Sequence, residues 1–319
     1  MTPAPQLETP VLFLVFNRPD TTKTVFKEIR RAQPKRLYIA SDGARSSVSG
    51  EHEKVAAVRA WVVDHIDWDC DVKTLFRREN LGCKQAVSGA ISWMFSMEEK
   101  GIILEDDCLP SPSFFSFCED MLDQYEGAER VLSISGYNPL GAVGWSDDII
   151  FSKYFFSWGW ATWAKCWGIY DAEFSAYLKL QRSGNLPTVY PGPLERAIRS
   201  RRIGACLNGG VDSWAIPWNV THHMHQRFSI VPAASLITNI GFSNTDATHT
   251  KANKWDIAFY NHSGDSKVVN SIVKVRTPVE DKRFTRKFLR REAVRSILKI
   301  MAEKYQAMIS VFLARGGER

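Results

Sequence analysis

The apolar run Ile102-Ile103-Leu104 breaks off at three consecutive carboxylates, Glu105-Asp106-Asp107, with Pro110 and Pro112 close behind. A run of strand length that stops at charge and proline reads as a buried strand ending in a loop. Open α/β sheets place their ligands at such strand ends. On extended backbone the side chains of Glu105 and Asp107 share one side and Asp106 takes the other. Three neighbouring anions beside a buried sheet edge repel unless a cation or hydrogen-bond donors compensate them. A divalent ion shared between one carboxylate and a ligand diphosphate would do so. The plainer reading is a solvated acidic turn, and the apolar strand directly before it shifts the balance.

The preceding hundred residues alternate in pattern. Val11 to Phe16 is a first buried strand, ended by Asn17-Arg18-Pro19-Asp20, and Thr21 to Arg31 follows with Val25, Phe26 and Ile29 on one helical face. Leu37 to Ala40 is a second strand, closed by Ser41-Asp42-Gly43, before a helix over Glu51 to Ile66. A third strand near Val72 to Phe76 leads through Asn80-Leu81-Gly82 into a helix over Cys83 to Met97. This predicts an α/β fold, a Rossmann-like, mostly parallel open sheet with helices on both faces. Such a sheet lines up the carboxyl ends of its strands along one rim, so Phe16, Asn17, Arg18, Asp42, Asn80, Lys84 and the acidic triplet become candidates for one nucleotide-sized site. Asn17-Arg18-Pro19 and Ser41-Asp42-Gly43 are also ordinary turn sequences.

The 319 residues, 45% of them hydrophobic, can bury a large core in one large or two modest domains. The formal charge of +6 would suggest nucleic acid if it were spread evenly, but Asp281 to Arg319 carries +7 and the rest of the chain −1. No nucleic-acid-binding signature accompanies it. Six cysteines without CxxC spacing read as reduced thiols, and Val11 to Phe16 is too short for a signal or a membrane span, so a cytoplasmic protein is expected.

Past a helix over Ser113 to Asp123 and a short strand over Val131 to Ser135, tryptophans crowd the chain at 158, 160, 163 and 167. Trp160, Trp163 and Trp167 share helical spacing and read first as a core stripe. Trp158, beside Gly159, is the better candidate for an exposed ring on which a pyranose can lie. Gly209-Gly210-Val211-Asp212-Ser213-Trp214 puts an acid after two glycines. Asp212 either caps a helix or serves as a general base whose pKa is raised in a dry, tryptophan-rich pocket, and both roles can hold together. His222, His223 and His225 are spaced poorly for metal. The polar loop from Asn239 to Thr250 could fold over a ligand, with His249 reaching a metal or diphosphate or lying plainly on the surface.

From Lys282 the tail reads as a basic amphipathic helix, with Val294, Ile297, Leu298, Met301, Tyr305, Met308 and Phe312 as its apolar stripe. It either packs on the domain or a second copy of the chain, or lies on an anionic membrane face through 282–313, which is slightly favoured by its cations.

These landmarks together resemble the GT-A nucleotide-sugar-dependent glycosyltransferases, whose DXD motif would be Glu105-Asp106-Asp107, and especially the N-acetylglucosaminyltransferase I group. Gly136-Tyr137-Asn138, Gly159-Trp160 and Asp212-Ser213-Trp214 follow in matching order, and bacterial surface-polysaccharide glycosyltransferases of similar look carry Ser157-Trp158-Gly159-Trp160-Ala161-Thr162-Trp163. The resemblance spans about residues 10–250, with 10–110 as the nucleotide-binding half, 111–250 as the acceptor half and 251–319 as a basic helical extension. It implies that Asp107, with His249, holds Mn2+ or Mg2+, and that Glu105 and Asp106 serve the ribose and the site's hydrogen bonds. Asp42 would meet the uracil of a UDP-linked donor and Arg18 the nucleotide. Asp212 would meet the acceptor hydroxyl, with Trp158, Trp160 and Trp214 holding a saccharide or glycolipid acceptor.

Two rivals stand beside it. A sugar nucleotidyltransferase would use a similar sheet, though with a glycine-rich phosphate loop that Asn17-Arg18-Pro19-Asp20 does not provide. A non-catalytic carbohydrate-binding protein would account for the tryptophans and the basic tail without any metal.

Overall fold

The computed structural model describes residues 6–142, 145, 147–241 and 275–297. Strand and helix alternate through β1 (Val11–Val15), α1 (Pro19–Ala32), β2 (Arg36–Ser41), α2 (Glu51–Asp64), β3 (Asp71–Phe76), α3 (Gly82–Phe95) and β4 (Lys100–Glu105). The expected buried strand is there: Ile102, Ile103 and Leu104 are wholly buried, worth about 1.5–3 kcal/mol apiece. Helix α1 opens with Pro19, whose missing N–H costs nothing in a first turn, and buries Val25, Phe26 and Ile29.

β5 (Cys108–Pro110), α4 (Phe114–Gln124), β6 (Val131–Ser135), β7 (Ile149–Ser152) and β8 (Trp160–Trp163) come next. They are followed by α5 (Ala164–Trp167), α6 (Ser175–Arg182), α7 (Pro193–Leu207), α8 (Ala215–Met224), β9 (Phe228–Pro232) and β10 (Ile237–Asn239). Eight strands form one sheet in the order β3-β2-β1-β4-β8-β6-β9-β7, with only β8 and β7 running against the others, while β10 and β5 make a small antiparallel pair. The mixed α/β architecture, mostly parallel and Rossmann-like, is therefore as expected. Helices α1 and α2 pack on each other as the chain steps from β1 outward to β3. The chain then crosses back to β4 on the other side of β1, so right-handed crossovers put α3 on the opposite face. The order reverses between β1 and β4, and the crevice beyond their carboxyl ends is where such sheets bind ligands.

Two expectations need correction. Trp160 and Trp163 do not lie on a helix: they begin and end β8, which is wedged antiparallel between β4 and β6. A central strand is covered on both faces, so both rings are buried without helical spacing. The basic tail is helical over 282–297, but its inward face is Phe284, Phe288, Glu292 and Ala293, packed near Ile150, Val231, Tyr154 and Phe156. Val294 and Ile297, which open the expected apolar stripe, are more than half exposed. We call this helix α9; the rest of the stripe lies outside the described residues. Among the described residues no helix is long and apolar enough to cross a membrane.

Candidate functional site

A cleft of about 270 Å³ opens at the β1/β4 reversal, floored by Leu14, Val15 and Ala40. Phe16, Asn17, Arg18, Asp42, Asn80, Glu105, Asp106 and Asp212 all line it, so the structure brings most of the sequence-predicted site residues together.

At the centre, Arg18 donates to Asp107 at 2.8 Å and lies 3.8 Å from Asp106. Asp106 also accepts the Phe16 N–H at 3.3 Å. The expected alternation within the triplet fails because β4 ends at Glu105 and residues 106–107 form a turn, so both aspartates address Arg18. Glu105 instead accepts a hydrogen bond from the Trp214 side chain. Poor hydration, then the charges of Asp107 and Asp106, push the Glu105 carboxyl well above its ordinary range. Asp106 rises for the same reasons, with Arg18 opposing the shift.

The amino end of α3 is closed by acids from elsewhere. Asp42 accepts from the N–H groups of Leu81 (3.0 Å) and Gly82 (3.1 Å) and from Asn80 Nδ2 (3.0 Å). Asp212 accepts from Cys83 N–H (2.6 Å) and Lys84 N–H (2.9 Å). The orphan donors of a helix start attract carboxylates in this way. Gly82 has φ +80°, and a Cβ there would lie 2.6 Å from Asp212 Oδ2, so position 82 has no room for a side chain.

Asn17 is buried, with its Nδ2 held by Glu51 at 2.8 Å, while its Oδ1 has no partner. An orphan buried acceptor in a cleft is a place for a ligand donor. Arg45 and Arg77 also line the cleft, Arg45 lying over the Phe16 ring and paired with Glu51. Neither was among the candidates, which in the loops after β2 and β3 were Asp42 and Asn80, although Arg45 and Arg77 fall in those same loops.

Several candidates are placed elsewhere. Lys84 reaches away to Glu173 at 2.9 Å and offers the site only its backbone N–H. Trp160 is wholly buried and stacked on Trp214, itself 2% exposed, so neither offers a face to an acceptor. Trp158 is part-exposed, as expected of an accessible ring. Asp212 is exposed at the cleft mouth rather than enclosed by indoles, so the dry pocket expected to activate it is absent. His222 bonds Ser133 Oγ and the Trp218 carbonyl, both at 2.8 Å, which spends both of its nitrogens on structure, and His223 bonds Tyr190 through Nδ1 while its buried Nε2 has no partner. His249 lies outside the described residues.

Among the described residues no cluster of three or more His, Cys, Asp or Glu is placed to hold a metal. Asp107 is not among the residues lining the cleft; its part-exposed carboxylate is held by Arg18 through Oδ2 at 2.8 Å, and Gly241 passes so close that a Cβ would lie 2.4 Å from the same oxygen. A hard carboxylate oxygen of this kind is chemically suited to an Mn2+ or Mg2+ ion.

No protein-family model matches the chain, and no curated protein matches it by sequence. Among solved structures it is similar to the crystal structure of HddC from Yersinia pseudotuberculosis, with 12% identity over 49% of this chain and 77% of that one and a TM-score of 0.30. It is also similar to UDP-glucose pyrophosphorylase complexed with UDP-glucose, with 10% identity over 70% and 90% of the two chains and a TM-score of 0.36.

Proposed function

We propose that the chain is an enzyme acting on a nucleotide diphosphate sugar, and specifically an inverting glycosyltransferase that hands the sugar to a hydroxyl of a saccharide or glycolipid. The observation that carries this reading is the meeting, at the β1/β4 reversal, of Arg18 with the acidic turn and of Asp212 with the same cleft.

The base and ribose would lie between Phe16, Asp42 and Asn80, with Asn17 Oδ1 accepting a donor from the nucleotide. Arg18, a planar fork beside the triplet, would meet the diphosphate. A divalent ion on Asp107 would supply Lewis-acid neutralisation of the leaving diphosphate. Asp212 spends one lone pair of each oxygen on α3 and keeps others for an acceptor hydroxyl, whose proton it would take as the sugar's C1 is attacked from the opposite face. Fixing two reactants in line accounts for much of such a rate enhancement.

Sugar nucleotidyl transfer would use the same cleft, and the test separates the two. Calorimetry with UDP, with and without Mn2+, is expected to show metal-dependent binding that Asp107→Ala abolishes. Asp212→Asn is expected to keep that binding and lose transfer from a nucleotide sugar. Consumption of NTP with a sugar phosphate would favour the nucleotidyltransferase, and absence of UDP binding would end both readings.

A further inference from the structure

Helix α9 has two unlike sides. Its inner side packs Phe284 with Ile150 and Val231, and Phe288 against Tyr154 and Phe156. Farther along that side, Glu292 lines a second cleft of about 250 Å³ and is held by Arg199 and, at 2.7 Å, by Arg202. The outer side carries Lys282, Arg283, Arg286, Lys287 and Arg290, all exposed. At about 100° per residue, these five and the exposed Val294 and Ile297 share an arc of about 140°.

No carboxylate of the helix answers this charge. Glu280 accepts from Thr285 Oγ1, Asp281 caps the first turn by accepting the Phe284 N–H, and Glu292 faces inward. Among the described residues none of the five cations is in an ion pair. Arg286 donates to the Lys282 carbonyl, and Arg283 and Lys287 lie over the Trp145 ring at 5.7 and 4.9 Å, which leaves their charge in place.

Apolar exposure gathers on the same segment. Val275, Val279, Val294 and Ile297, each more than half exposed, are the most exposed large apolar side chains among the described residues. Cations and exposed apolar groups on one helical face match a bilayer surface, where lysine and arginine meet headgroup phosphates and aliphatic side chains reach the acyl boundary. Tryptophan is favoured at that depth, and Trp145 stands beside the face. A second copy of the chain would set like charges against each other in a two-fold contact, and nucleic acid would leave Val294 and Ile297 in water.

We propose that the outer side of α9 docks on an anionic phospholipid bilayer, with the five cations among the headgroups and Val294 and Ile297 at the acyl boundary. Docked so, the second cleft lies one helix away from the lipid. Nothing in this depends on the reaction proposed above.

The test is co-sedimentation of the full chain, without nucleotide or metal, with vesicles of phosphatidylcholine alone and of equal parts phosphatidylcholine and phosphatidylglycerol. The anionic vesicles are expected to bind about tenfold tighter or more, and added salt should release most of the protein. Arg286→Glu/Lys287→Glu/Arg290→Glu should weaken binding to them by about tenfold or more, and Val294→Ser/Ile297→Ser by about threefold or more. Both variants change exposed side chains alone and should melt as wild type does, which separates lost docking from lost folding. Lys27→Glu/Arg31→Glu/Lys73→Glu makes the same change of charge on α1 and β3, toward the opposite edge of the sheet, and should bind as wild type does. Equal binding to the two kinds of vesicle, or wild-type affinity in either α9 variant, overturns the proposal. A dimer that the triple α9 variant dissociates would assign the face to a second copy, and duplex DNA bound as tightly by Val294→Ser/Ile297→Ser as by wild type, with no vesicle binding, would assign it to nucleic acid; either result also overturns it. UDP calorimetry decides the nucleotide-sugar reading separately, whatever the vesicles show.

Discussion

The Asp212 carboxylate accepts the backbone N–H of Cys83 at 2.6 Å across 129 positions of chain, so the loop before α8 closes the amino end of α3. Together with the Lys84 N–H bond at 2.9 Å, it fixes that loop at the mouth of the first cleft. Gly82→Ala tests it directly. The backbone there is left-handed and the new methyl would meet Asp212 Oδ2, so a loss of about 1–3 kcal/mol in urea unfolding is expected. Asp212→Asn keeps an acceptor and should cost under about 1 kcal/mol. If Gly82→Ala proves as stable as wild type, the closure does not form in solution.

What the sequence revealed and what it hid both trace to locality. The β1 to β4 half was legible because each strand and helix carries its own period, and the acidic turn because an apolar run stops there. β8 was misread because a strand buried on both faces leaves no alternation, and tryptophans at 160, 163 and 167 imitate a helix. That Asp212 would cap α3 rather than a helix of its own, that Lys84 would turn to Glu173, and that Arg45 would lie over Phe16 are long-range or loop facts with no local period. The two-sided use of α9 was hidden for a related reason: Arg291 and Arg295 become cleft residues only once Phe284 and Phe288 have chosen a face.

His222 makes stability depend on pH in a calculable direction. Burial pushes its imidazole down to about 4, while an exposed histidine titrates near ~6.5. The unfolded chain therefore binds a proton that the folded one refuses, and stability falls as pH drops from about 6.5 toward 4. At about 1.4 kcal/mol per unit the loss approaches about 3 kcal/mol at pH 4. Urea midpoints from pH 7 to pH 4 measure the slope, and His222→Gln, which cannot titrate, should lessen it, while the buried His223, also pushed down by burial, keeps a slope of the same sign. The same slope in wild type and His222→Gln would mean that the ring is hydrated; the comparison between the two is needed because Glu105 and Asp106, raised by burial, add stability as pH falls.

Trp158 and Trp160 differ in burial: Trp160 is wholly buried, and Trp158 is part-exposed and packs on the edge of the core. Trp160→Ala should cost about 3–5 kcal/mol, because it empties a volume packed against Phe155, Trp167, Trp214 and Trp218. Trp158→Ala removes a part-exposed ring and should cost about 1 kcal/mol or less. Thermal unfolding of the two variants side by side checks the difference. Equal losses would place Trp158 in the core.

Arg18 and a divalent ion would compete for the same charge. The guanidinium at 2.8 Å from Asp107 already compensates an acidic turn that burial makes costly to ionise. Arg18→Met should therefore destabilise the protein by about 2 kcal/mol at neutral pH, since the loss of one partner leaves poorly hydrated carboxylates unpaired. Mn2+ should restore much of this, and its stabilising increment should exceed that in the wild-type protein, because ligand binding adds to stability in proportion to the logarithm of affinity. Asp107→Asn should remove the increment in both backgrounds. Melting curves at a fixed Mn2+ concentration distinguish the cases. An increment that is the same with and without Arg18, or that survives Asp107→Asn, would mean that the ion binds away from this turn, and the metal would then have to be dropped from the proposed mechanism.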